Sequence, residues 1–325
     1  MPARAAAIVL VLLLFPSIAV SASTDKGWET LVSIDQALAG LQAWPRTRGQ
    51  TLEQSLQETS IAEREATIAA LRARLDALAV QDWSVAGKAD YLVVWAQLNG
   101  VDFQHRVTRP WQRDPIFYLR LLQRIPYAEL PFEGTALERF GRELRAVPAI
   151  AERARANLTD PLGELAGLAV FHLDHFDGVG QGQPYRDAPP GGTIAWFDDL
   201  CRRVETHHPD ELATCRAARD ALADWRDWLR DEQPLMTASA GIGAEELEWY
   251  FRNVRLLPWS AAEMGLLGQR EYHRYHAAYR IARNRNKALP ELALTTSREQ
   301  HEKRTREAEA EIRALLIEQG LLTFP

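Results

Sequence analysis

Apolar residues recur along this chain at steps of three and four. Trp28, Leu31, Ile34, Leu38 and Leu41 follow that spacing, and so do Ile61, Ile68, Leu71, Leu75 and Leu78. An α-helix turns once in ~3.6 residues, so each set falls on one side of a helix and needs another element to cover it. No stretch alternates apolar and polar residues over strand length between turn signals. The expected fold is all-α: an antiparallel array of about ten to twelve mostly amphipathic helices without significant sheet.

Helix starts are written into the sequence. Ser60 with Glu63, Ser260 with Glu263 and Ser297 with Gln300 have the spacing of a capping box, in which the two side chains satisfy unpaired amides of the first turn. Asp114-Pro115 and Asp160-Pro161 each offer a capping acid followed by a proline whose missing N–H costs nothing at that position. Breaks are expected at PRTRG (45–49), at LPFEG (130–134) and at GVGQGQPYRDAPPGG (178–192), which is too rich in Gly and Pro for regular structure.

The first 22 residues read as a signal peptide. Arg4 supplies a positive start, the apolar run from Ala5 to Phe15 is too short to span a bilayer, and Val20-Ser21-Ala22 supplies small residues for cleavage. Residues 23–325 are expected to form a single helical domain, exported to a bacterial periplasm or beyond, with no membrane span after cleavage. An apolar fraction of 46%, a charged fraction of 25% and a net charge of −6 are those of an ordinary soluble protein. Acids and bases are interspersed, so no basic stripe marks a nucleic-acid surface. The two cysteines, Cys201 and Cys215, flank a turn at Pro209 that would set them opposite each other on paired helices, and an oxidising compartment favours a disulfide between them.

The stretch least like a generic helix is LNGVDFQHRVTRPWQRDPIFY (98–118). Its mixture of rings and guanidinium groups suits either the packing of a corner or the binding of a carboxylate. Arg109, Trp111 and Arg113, with Trp249 and Tyr250 further along, are the candidate contact residues for a substrate or partner.

The run KADYLVVWAQLNGVDFQHRVTRPWQRDPIFY, followed by RIP at 124–126 and ARANLTDP at 154–161, resembles the first half of the bacterial family catalogued as domain of unknown function 885. GIGAEELEWYFRNVRLLPWSAAEMGLLGQREYHR (241–274) and LIEQGLLTFP (316–325) look like the same family further along. The resemblance covers most of the mature chain. It implies a helical, often exported protein, similar in its second half to gluzincin-type zinc peptidases, with an HExxH-type helix and a further acidic ligand there. The implied partners are a downstream C-terminal half and a peptide-like substrate. Zinc is expected only in that half, and this chain is expected to end before it begins.

No metal site is assigned within the chain. His301-Glu302 begins like HExxH, but Thr305 stands where the second histidine would be, so only one imidazole is present. Ala308, Ile312, Leu315 and Leu316 form the stripe expected to be buried on that last helix, with His301 at its rim. FHLDHFD (171–177) sets His172 and His175 three apart, the nearest approach to a ligand pair, but no third ligand has a recognisable spacing. His273 and His276 lie beside the stripe Tyr272, Tyr275 and Tyr279, where ring packing accounts for them. No nucleophile elbow, phosphate loop or dinucleotide fingerprint occurs. Two readings follow: an inactive helical portion of an exported zinc-metallopeptidase-like hydrolase, or a self-sufficient helical binding or scaffold protein of the periplasm.

Overall fold

The computed structural model describes residues 25–46, 51–175, 186, 190–290 and 293–322. These form thirteen α-helices, and no strand beyond one isolated bridge between Leu162 and Thr237. The chain is all-α. It groups into two compact units, one running to Ala261 and the other from Ala262.

The first unit has two cores. In one, α1 (Trp28–Gln42), α3 (Glu58–Asp76) and α4 (Val85–Phe103) pack on each other. Trp28, Leu31, Ile34, Leu38 and Leu41 of α1 are all buried, against Ile68, Leu71 and Leu75 of α3 and Val94, Leu98 and Val101 of α4. The four-residue α2 (Leu52–Ser55) lies between α1 and α3 in sequence. It opens with a capping box, Thr51 with Gln54, that is not among the three expected. Ser60, expected to cap, lies inside α3, which begins two residues earlier at Glu58 with Gln57 at its cap.

The second core is built from α5 (Pro110–Arg113), α6 (Pro115–Leu122), α7 (Gly134–Asn157), α8 (Gly163–Asp174), α9 (Gly192–His207) and α10 (Leu212–Glu232). Helix α10 packs on α7, α8 and α9 and buries Cys215, Ala218, Leu222, Trp225 and Leu229 at steps of three and four. Cys201 of α9 and Cys215 of α10 form a disulfide across the short turn at Pro209–Glu211, with Cα atoms 5.6 Å apart. Gly192 sits at the start of α9 with φ 83°. A Cβ there would lie 2.5 Å from the Leu173 carbonyl oxygen, so the absence of a side chain lets α9 begin against the end of α8. Most of the Gly- and Pro-rich stretch 178–192 lies outside the described residues. Arg186, within it, donates to buried Asp199 from Nε (3.2 Å) and Nη2 (2.7 Å).

Asp114 caps α6 by accepting from the Ile116 amide at 2.8 Å, with Pro115 at the first helical position. The parallel expectation for Asp160 is corrected: α8 begins at Gly163 with Leu162 at its cap, and the Asp160 carboxylate is held by arginines instead.

Helix α11 (Gly243–Asn253) packs on α4. Helix α12 (Ala261–Asn286), nearly all of it in the second unit, and α13 (Arg298–Glu318) contain no buried residue. Ser297 caps α13 through the Gln300 amide at 3.2 Å. The stripe expected to be buried on this helix is uncovered: Ile312 is 58% exposed and Leu315 44%. Periodicity fixes which side of a helix is apolar, whereas burial also requires a partner.

Candidate functional site

Two X-Pro steps within six residues make the corner that follows α4. The residue before a proline is pushed away from the right-handed helical region. Arg109, before Pro110, takes the left-handed conformation instead, with φ 39° and ψ 58°. The preceding turn widens to a π-helix over Gln104–Thr108, closed by the Arg109 amide donating to the Gln104 carbonyl at 2.9 Å. Asp114, before Pro115, is extended. The chain thus turns at Arg109, runs one helical turn through α5, and turns again into α6.

The side chains close this corner on itself. Trp111 is buried, its ring edge-on to Trp44 at 5.3 Å and 4.9 Å from the His105 ring, and its carbonyl accepts from the buried Tyr118 hydroxyl at 2.6 Å. Arg109 Nη2 and Arg113 Nε approach the same oxygen of Asp160 at 3.0 and 3.1 Å. Backbone bonds run alongside: the Asp160 amide donates to the Gln112 carbonyl and the Leu162 amide to the Arg113 carbonyl. Arg113 Nη2 also donates to the Ser239 carbonyl at 2.6 Å.

Behind Trp111 lies a cation that is not among the expected contact residues. Arg64 of α3 is 5% exposed, and its guanidinium stands over the Trp44 ring at 4.9 Å. Its Nη2 donates to Gln104 Oε1 at 3.2 Å and its Nη1 lies 3.1 Å from His105 Nδ1. Burial pulls Arg64 down to about 10. Burial, joined by the Arg64 charge, also holds His105 below its ordinary value, against the opposing pull of Glu65 and Asp102. His105 is therefore neutral at pH 7, with Nδ1 as the acceptor for Arg64. A signal existed: Arg64 stands four residues before Ile68 on the buried stripe of α3, where a charge is out of pattern.

Before the π-turn, Phe103 is buried under Trp249 and Tyr250, with ring centroids 5.9 and 4.9 Å away. Arg106 pairs with Glu246 through two bonds of 2.6 and 3.1 Å and lies over the Trp249 ring. Asn99, also buried, donates to the Asn253 carbonyl at 3.0 Å. Residues 98–118, residues 154–161 and helix α11 (Gly243–Asn253) therefore meet around one corner. The arginines are legible in the sequence as a cluster; their carboxylates, Asp160 and Glu246, are not. Asp-Pro reads equally well as a helix start, and Glu246 as an ordinary acid in a first helical turn.

The other expected positions lie apart from this corner. His172 is in the last turn of α8, and the His175 ring stacks on Phe171 at 4.9 Å. Asp174 between them accepts from Arg226 and Arg230 at 2.9 and 2.7 Å. Among the described residues no group of three or more His, Cys, Asp or Glu side chains is arranged to hold a metal ion. Phe176 and Asp177 of the FHLDHFD stretch lie outside the described residues. No described helix is long and apolar enough to cross a membrane.

No protein-family model and no curated protein matches the chain. Among solved structures it is similar to a protein from Shewanella oneidensis described as a "putative lipoprotein of unknown function", with a TM-score of 0.53 at 16% identity. The match covers 92% of this chain and 57% of that one, so this chain spans little more than half the length of its structural neighbour, and at that identity the likeness is one of fold.

Proposed function

We propose that this chain is the helical N-terminal portion of an exported zinc-metallopeptidase-like hydrolase. In this reading the metal and the general base belong to a further half, and this chain supplies a rigid helical framework beside a peptide-like substrate. The observation that supports it is that Asp160 and Glu246, each within a stretch that resembles domain of unknown function 885, are both drawn to the corner at Gln104–Arg113, the first by Arg109 and Arg113 and the second by Arg106. The greater length of the Shewanella protein fits a larger whole, and its description as a lipoprotein fits an envelope location. The test is co-expression of the chain with a downstream half from the same locus. Co-purification with chelator-sensitive peptide hydrolysis is expected, and no association would overturn the reading.

A second reading, a helical binding or scaffold protein of the envelope, is favoured by α12 and α13. Two helices without a single buried residue between them are built for contact with something else.

A further inference from the structure

Helix α12 carries an exposed seam at alternating steps of three and four: Gly268, Tyr272, Tyr275, Tyr279 and Ala282. Helix α13 carries another: Thr305, Ala308, Ile312 and Leu315, with Leu322 beyond the helix end. This is the spacing of helices that pair side by side. Tyr272, Tyr275 and Tyr279 are each about 60% exposed, and Ile312 and Leu322 are more than half exposed, so neither seam is filled by the other.

The charges beside the seams restrict how they can be filled. From Tyr272 to Lys287 there are five bases, Arg274, Arg280, Arg283, Arg285 and Lys287, and no acid. The second half of α13, from Glu307 to Glu318, has four acids and one base, Arg313. Its first half, from Arg298 to Arg306, has four bases and two acids. Opposite charges face each other only when the two helices run parallel. An antiparallel hairpin within one chain would set the basic end of α12 against the basic start of α13, which is unfavourable.

Parallel pairing within one chain is restricted by its connection. Helix α12 is about 39 Å long at ~1.5 Å per residue. For Tyr275 to lie beside Ala308 the segment from Lys287 to Ser297 would have to return about 32 Å, which 11 residues span with little to spare only when fully extended, at about 36–40 Å. The segment is not fully extended, because the Leu289 amide donates to the Asn286 carbonyl at 2.9 Å.

We propose that the occupant is a second copy of this chain: α12 of one protomer packs in parallel against α13 of its partner, and the reciprocal pair completes a two-fold dimer. A register that sets Tyr275 beside Ala308 and Ala282 beside Leu315 matches large residues with small ones and places Tyr279 beside Ile312. The contact belongs to the second unit and does not depend on the hydrolase reading, which rests on the first.

The experiment uses single-cysteine additions, since the native Cys201 and Cys215 are paired and do not compete. Full-length Tyr279→Cys and Ile312→Cys variants are mixed and mildly oxidised. The expected product is the mixed disulfide dimer, in excess of either self-linked dimer, together with a wild-type mass of two chains by light scattering. Arg283→Glu alone is expected to weaken the dimer roughly tenfold, and adding Glu311→Arg to restore it. Both positions are exposed, so circular dichroism should show an unchanged fold. A monomeric wild-type mass, a double-cysteine chain that closes on itself, or self-linked products alone would overturn the proposal. A dimer broken only by co-expression with a downstream half would assign the seams to that half instead.

Discussion

Arg109 Nη2 lies 3.0 Å from Asp160 Oδ2, and Arg113 Nε lies 3.1 Å from the same oxygen, so a carboxylate 51 residues from Arg109 in sequence closes the corner after α4. The carboxylate that two arginines in such a sequence invite is supplied by the chain itself. Asp160 and Arg109 are both partly solvated, so the effect of Asp160→Ala is expected to be modest, about 1–2 kcal/mol lost in denaturant unfolding.

Arg109 also carries strain, at φ 39° in a region that costs a non-glycine residue about 1–2 kcal/mol. Arg109→Ala keeps that strain and loses the bonds to Asp160 and Gln112, whereas Arg109→Gly loses the bonds and relieves the strain. The glycine variant is expected to be the more stable of the two by up to about 1 kcal/mol, read from their urea midpoints.

Gly192→Ala is expected to destabilise by at least about 2 kcal/mol, because the new Cβ would meet backbone atoms of Leu173, Asp174 and His175 at 2.5–2.7 Å and φ is 83°. Gly40→Ala is the control. That glycine is exposed within α1, and a methyl added there would find nothing within 4 Å, so alanine should raise stability by about 0.5–1 kcal/mol.

Stability should fall on mild acidification because of His105. Its imidazole is held below the ordinary value of 6.5 in the fold, so the unfolded chain takes up the proton first. Stability is therefore fully present above about pH 6.5 and is lost as the pH drops toward the lower folded value. His105→Gln, which keeps an acceptor for Arg64 but does not titrate, should flatten the difference between urea midpoints measured at about pH 7.5 and about pH 5.5.

The link between Cys201 and Cys215 closes a loop of moderate length, with the cysteines 14 residues apart. Its reduction is expected to cost about 3 kcal/mol, and chain unfolded without reductant should titrate no free thiol. Two thiols in that unreduced sample would remove the link from the account.

The helical stripes are legible in the sequence because burial follows the period of the helix: the five apolar residues of α1 are all core residues. The same rule misleads at α13, where an apolar side exists but nothing covers it. Asp160 misleads because an acid before proline has one local meaning, a helix cap, and a different one when Arg109 and Arg113 arrive from a distant segment. Arg64 escapes a sequence-based reading for a related reason. A charge on an apolar stripe tells that something unusual is buried, but the identity of its partners, Gln104, His105 and Trp44, depends on how α3 meets the turn after α4.

The most direct test of the account is to sequence the DNA downstream of the Pro325 codon and translate it in every frame. If the chain is the helical portion of a zinc-peptidase-like protein, a helical segment with an HExxH motif and a further acidic ligand is expected there. A downstream sequence with no such segment in any frame would contradict the account and leave the scaffold reading in its place.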